Sequence, residues 1–335
     1  MRITRNLLIE TARNHVKVQT DNNPEVACVF MVGSLTGDDP FVGGTSDVDL
    51  VFVHNTEPTT TREVIPVADE FHLDILHYPR RMFNQPKELR TDPWIGCLFC
   101  EKPYVLYDSY HFYDFIRAGI FSKFFAPANI FARSQHFYQL ARRNWADLHN
   151  QSGYDSLNSL YVYLQSLWNA GNAIACLVGK PLPERRFLTK LEDTTTYLGR
   201  PGLASGMRDL YGLDDYSLLD WDELVGHYKT AFKTLLEKSY CPPEYSKPRY
   251  RYFKSAIQTY KNERPDEALW LFLWAWINIL NTLHDKELRS QTREYLDQKL
   301  HLHPDTFPER LANLDAYLDA VDQTGEDWKQ VSGLY

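Results

Sequence analysis

The sequence predicts an α+β fold, in which a small mixed β-sheet domain precedes a mainly α-helical bundle domain. Three observations carry that expectation. Short apolar runs of strand length, bounded by turn residues, occupy residues 1–110. Beyond them the apolar residues recur at helical spacing almost to the end of the chain. Clusters of Pro and Gly then cut that helical half into segments. The expected domains are residues 1–110 and 111–335, with a further break near 241–248, where Cys241-Pro242-Pro243 leads to Lys247-Pro248.

The elements follow in order. Leu7, Leu8, Ala12 and Val16 share one helical face, so residues 3–20 predict a helix that ends before Pro24. Val26 to Val32 is a continuous apolar run of strand length. Leu35-Thr36-Gly37-Asp38-Asp39-Pro40 is a poor helix former, which leaves at most a short turn after Gly33-Ser34. Asp47 to His54 predicts a second strand. Residues 63–67 and 71–78 predict a hairpin whose first strand lies at a sheet edge because of Pro66. Pro79 suits the first turn of a helix. Tyr104-Val105-Leu106-Tyr107 predicts the last strand. Helices are expected over 110–124, 128–149, 155–178, 184–197, 221–239, 265–285, 287–299 and 305–323. Gly179-Lys180-Pro181 and Gly199-Arg200-Pro201-Gly202 read as helix stops.

At 335 residues the chain is long enough for two domains and a sizeable core. Its net charge of −8 argues against a nucleic-acid partner, while leaving room for a local basic groove. The five cysteines are dispersed, and Cys97-Leu98-Phe99-Cys100 has no second pair to complete a zinc site. That odd count, with no N-terminal signal pattern, leads us to expect a reducing, cytoplasmic setting. The most apolar segment, Ala268 to Leu283, is interrupted by Asn278 and Asn281 and falls short of the ~20 apolar residues of a spanning helix. It predicts a buried central helix carrying Trp270, Trp274 and Trp276. His301 and His303 flank Leu302 just before Pro304 and read as a helix end, where imidazole suits the dipole. The octet Lys247 to Lys254 alternates basic and aromatic residues and reads as the start of an amphipathic helix.

The chemistry concentrates at Gly33-Ser34 and at Asp47-Val48-Asp49, which opens the run Leu50-Val51-Phe52-Val53. Acids at i and i+2 of a strand project from one face. Two carboxylates so placed at a buried strand end repel each other unless a cation or water compensates them. Gly-Ser just upstream makes a turn whose amides can close on phosphate oxygens.

Val32-Gly33-Ser34, the spacer Leu35 to Ser46, and Ser46-Asp47-Val48-Asp49-Leu50 resemble the signature of the polymerase β-like nucleotidyltransferase superfamily. The long, Gly- and Asp-rich spacer is similar to those of the aminoglycoside-type antibiotic nucleotidyltransferases. The superfamily uses a third carboxylate on a neighbouring strand, and Asp74 within Phe71-His72-Leu73-Asp74-Ile75 matches it. The resemblance covers residues 26–78 and extends loosely to 110. It implies two Mg²⁺ ions held by Asp47, Asp49 and Asp74, with Asp49 bridging them. Asp74 has two possible roles, as a ligand of the second ion or as the base that takes the acceptor's proton, for which nearby carboxylates would raise its proton affinity. Gly33 and Ser34 would hold the β- and γ-phosphates, and Ser46, counted with the nucleotide site, would cap or brace the metal-bearing strand or be a simple turn residue. Further cations for the triphosphate are expected among Lys123, Arg133, Arg185, Arg186 and Lys190. A solvated helix start is the competing reading of the last three.

The implied reaction transfers a nucleoside monophosphate, AMP from ATP, to a hydroxyl of a small molecule and releases pyrophosphate. For a cationic acceptor of the aminoglycoside type, the acids Glu184, Glu192, Asp193, Asp214 and Asp215 are available as a rim. Two alternatives stand beside it: AMPylation of a protein, as antitoxin-type nucleotidyltransferases perform, and a non-catalytic nucleotide-binding scaffold.

Overall fold

The computed structural model describes all residues except 1, 2, 22, 38, 101–103, 152–156, 213–215, 284, 300–303 and 335. His301, His303, Asp214 and Asp215 therefore lie outside the described residues. The first helix, α1 (Arg5–Thr20), starts where the Thr4 hydroxyl accepts from the Leu7 amide, and it buries Leu8, Ile9, Ala12 and Val16. Strand β1 (Val26–Val32) runs into a 3-10 turn at Gly33–Thr36. Strand β2 (Ser46–His54) follows the Gly-rich loop, then β3 (Arg62–Pro66), β4 (Phe71–Pro79) and β5 (Tyr104–Asp108).

These strands form one sheet in the order β3-β4-β2-β1-β5. It is mixed, because β2 and β4 pair in parallel while the other pairs are antiparallel. The chain leaves β2, turns back along the edge strand β3, and returns in β4 beside β2. Pro66 ends β3 on that edge, where its missing amide breaks no ladder. The parallel register sets Asp47 opposite His72 and Asp49 opposite Asp74.

Each face of the sheet carries its own core. On one, Val48, Leu50, Phe52, Leu73 and Ile75 meet Leu8, Ala12 and Val16 of α1. On the other, Cys28, Phe30, Val51 and Val53 meet α2 (Phe112–Phe124) through Phe112, Tyr113, Ile116, Ile120 and Phe124.

The helical half contains α3 (Pro127–His149), α4 (Leu157–Cys176), α5 (Phe187–Tyr197), α6 (Gly202–Tyr211), α7 (Trp221–Leu236), α8 (Lys247–Glu263), α9 (Pro265–Leu283), α10 (Lys286–Lys299) and α11 (Phe307–Val331). Helix α9 is buried along nearly its whole length, and Trp168, Phe187, Trp270 and Trp274 form a run of stacked rings around it. Among the described residues, no helix is long and apolar enough to cross a membrane.

Two compact units result: residues 1–129 with 241–256, and residues 130–240 with 257–335. The division differs from the expected boundary at 110, and the reason is the apolar face of α2, which completes the sheet's core. Residues 241–256, which include the expected break, group with the sheet. Two helical stretches that the sequence did not predict, α6 and the full extent of α8, begin at segments whose Pro and Gly content marks only stops. Pro79 ends β4 rather than opening an α-helix, and a 3-10 turn, Arg80–Phe83, follows it.

Candidate metal and nucleotide site

Alternation along two parallel strands builds the site. Asp47 and Asp49 of β2, and His72 and Asp74 of β4, all project from the face that carries α2. Asp47, His72 and Asp74 are buried, whereas Asp49 keeps part of its surface open.

Gly33 lies directly against Asp49. Its φ is +76°, in the left-handed region that only glycine adopts freely. A Cβ on Gly33 would fall 1.8 Å from Asp49 Oδ2. Both the turn and the close approach therefore require glycine. The Ser34 hydroxyl, half-buried, donates to the Pro40 carbonyl at 3.5 Å. Ser46 is wholly buried and its hydroxyl donates to the same carbonyl at 3.1 Å, so it braces the loop that precedes β2.

Three side chains that sequence reasoning did not select complete the arrangement. Arg62 of β3 forks Asp74, with Nε donating to Oδ1 at 2.8 Å and Nη2 to Oδ2 at 2.7 Å. Arg249, in the first turn of α8, donates from Nη1 to Asp74 Oδ2 at 3.3 Å and sits 3.7 Å from Asp47 Oδ2. The ring of His72 stands edge-on to Tyr252 at 5.4 Å. His72 was within reach of the sequence, since it lies two residues before Asp74 on one strand and so shares its face. Arg249 was not, because 175 residues separate it from Asp74.

The charges divide the carboxylates. Burial, reinforced by the like charges of Asp47 and Asp74, pushes the Asp49 carboxyl well above the usual range, against the opposing pull of Arg249 and Arg62. Burial alone would also raise Asp74. The hydrogen bond from Arg62 and the charges of Arg249 and Arg62 outweigh it and hold Asp74 below its ordinary value. The expectation of a raised proton affinity at Asp74 is thus corrected. That property belongs to Asp49, because two guanidiniums stabilise the ionised form of Asp74.

Donor atoms of Asp47, His72 and Asp74 lie within 4.8 Å of one another, a spacing that suits a metal ion. Asp47 and Asp49, on one face of β2, offer the hard oxygen donors that Mg²⁺ takes. Asp74 fits an ion less well, since both its oxygens already accept from Arg62.

The remaining expected cations lie on α2 and in the second unit. Lys123 is exposed on α2. Arg133, Arg185, Arg186 and Lys190 belong to the second unit. There Arg133 and Arg185 are buried, Arg186 hydrogen-bonds Tyr260, and Lys190 donates to Asp193 at 2.8 Å. Cys97 and Cys100 are free thiols.

Neither a protein-family model nor a curated protein matches this sequence. Among solved structures, the chain is similar to a nucleotidyltransferase-like protein from Exiguobacterium sibiricum at 13% identity, over 97% of this chain and 92% of that one, with a TM-score of 0.30. Likeness that loose leaves the functional reading to the residues of this chain.

Proposed function

We propose that this chain is a metal-dependent nucleotidyltransferase that moves a nucleoside monophosphate, AMP from ATP, onto a hydroxyl of a small molecule with release of pyrophosphate. The observation that carries this reading is the contact of Gly33 with Asp49, on a face shared by Asp47 and Asp74. A phosphate-accepting turn pressed onto paired carboxylates is what attack on a nucleoside triphosphate requires.

Asp47 and Asp49 are the residues we assign to Mg²⁺. The ion would neutralise charge that develops on the phosphoryl oxygens and the departing pyrophosphate. Gly33 and Ser34 present the amides of the 3-10 turn to the β- and γ-phosphates. Ser46 acts indirectly, by fixing the loop that the turn shares with β2. With its proton affinity lowered, Asp74 is a weak base, and its role in this reading is to anchor Arg62 and Arg249.

One observation favours a second reading, a non-catalytic nucleotide-binding scaffold: Asp74 is held by two guanidiniums, as a buried structural carboxylate would be. The two readings separate in one assay. Pyrophosphate release from ATP and Mg²⁺ is followed over a panel of hydroxylated small molecules, aminoglycosides first, with Asp49→Asn as control. Acceptor-dependent release that Asp49→Asn abolishes supports transfer. Nucleotide binding without release across the panel supports the scaffold.

A further inference from the structure

The polymerase β-like resemblance implies two metal ions, and this cluster already contains cations of its own. Three carboxylates, Asp47, Asp49 and Asp74, share the face. Arg62 takes both oxygens of Asp74. Arg249 touches Asp74 and Asp47 together, so its guanidinium bears on the same two carboxylates that, with His72, are spaced for a metal ion. Among the described residues, no guanidinium or ammonium bonds Asp49.

Arg249 is not a surface side chain that happens to reach inward. It is 5% exposed. Its guanidinium lies 5.1 Å from the centre of the Tyr252 ring and 5.0 Å from that of Phe253, both on its own helix. Stacking on aromatic faces and ion pairing are the interactions that hold arginine inside a protein, where it remains protonated. A divalent cation placed at Asp74 would have to share its Oδ2 with Arg62 and Arg249.

We propose that Arg249 takes the place of the second metal ion. The chain binds one divalent cation, at Asp47 and Asp49, and supplies the remaining positive charge from Arg249. This rests on the nucleotidyltransferase reading and changes its metal count. A fixed guanidinium beside the carboxylates can stabilise negative charge as an ion does. Arg249 then becomes a positioning and charge-stabilising residue.

The test counts Mn²⁺ by electron paramagnetic resonance on the full chain, stripped with chelator and then titrated, without nucleotide and with a non-hydrolysable ATP analogue. The wild-type chain is expected to bind one Mn²⁺ with an uncoupled spectrum in both conditions. Arg249→Met, checked for fold by circular dichroism, is expected to gain a second ion and the spectrum of a spin-coupled pair. Arg249→Lys keeps the charge and is expected to stay at one, which preserves the comparison where the methionine variant does not fold. A coupled pair in the wild-type chain overturns the proposal and leaves the nucleotidyltransferase reading standing. A single ion in folded Arg249→Met overturns it as well. If the wild-type chain takes up no Mn²⁺ with or without the analogue, both readings fall together.

Discussion

At the start of β2 and on the neighbouring part of β4, the ionisable groups are three carboxylates with His72 beside them, and guanidiniums from two other elements answer Asp47 and Asp74. At the far end of the same two strands, on the opposite face, they are half-buried imidazoles. His54 Nε2 and His77 Nδ1 share a hydrogen bond at 2.9 Å, and His77 Nε2 lies 3.4 Å from Glu63 Oε1. Burial lowers the pKa of His54, His77 and the nearby His15, against the weaker upward pull of Glu63 on all three. One strand pair thus meets desolvation in two ways. The histidine end sheds charge and simply packs, with Phe52 against all three rings. The carboxylate end pairs Asp47 and Asp74 with guanidiniums, one of them Arg249 from a distant helix. Charge paired there rather than shed makes the acid end the candidate site.

The comparison breaks most sharply at Arg249. Arg249→Met leaves Asp47 and Asp74 short of a buried cation and is expected to cost about 3–5 kcal/mol in urea unfolding. The double variant Arg249→Met/Asp74→Asn should recover part of that loss. A cost under about 1 kcal/mol, the range of exposed pairs, would mean that Arg249 does not compensate the carboxylates.

Gly33→Ala is expected to cost about 1–2 kcal/mol for its left-handed backbone, with more from the clash on Asp49. Nucleotide binding should fall further than stability does, because the same change displaces a carboxylate of the site. Unaltered binding in a calorimetric titration would show that the turn and Asp49 act independently.

Asp49→Asn should raise Tm in chelator. The Asp49 carboxyl is pushed up on folding, so its ionisation costs stability as pH rises through and above the carboxylate range. The gain is therefore present at neutral pH and should vanish in acid, where both states of the wild type are protonated. An equal or lower Tm at pH 7 would contradict the electrostatic reading.

The smallest effect belongs to the other end. Folded pKa values below 6.5 at His15, His54 and His77 mean that the unfolded chain takes up protons first. Stability should be full above that value and decline as pH falls through the window between 6.5 and the lowered values. His54→Gln should flatten that slope without touching metal or nucleotide binding. A slope unchanged in this variant would place the pH response elsewhere.

How much of this was legible in the sequence follows from how local each signal is. Asp47, Asp49 and Gly33 sit close together in the chain, and the alternation of a strand by itself puts both acids on one face. The hairpin of β3 and β4 and the edge position of Pro66 were legible for the same reason. His72 needed only the alternation rule applied to β4. Arg62 depended on the register of β3 with β4, which sets Val64 opposite Asp74. Arg249 belongs to an octet that reads as a helix start, and a helix does begin there, over Lys247–Glu263. That its third residue meets β2 and β4 is a tertiary fact, carried by no spacing. The extension of the first unit beyond 110 was hidden likewise, because the apolar face of α2 does not announce which core it joins.

The central claim is that paired carboxylates beside Gly33 bind a nucleoside triphosphate through a divalent cation. The most direct measurement is a calorimetric titration of the full chain with ATP and Mg²⁺, with Asp49→Asn beside it and the other three nucleotides in parallel. Metal-dependent binding by the wild-type chain, lost in Asp49→Asn, is the predicted result. No binding of any nucleotide with Mg²⁺ or Mn²⁺, or binding that Asp49→Asn leaves intact, would contradict it.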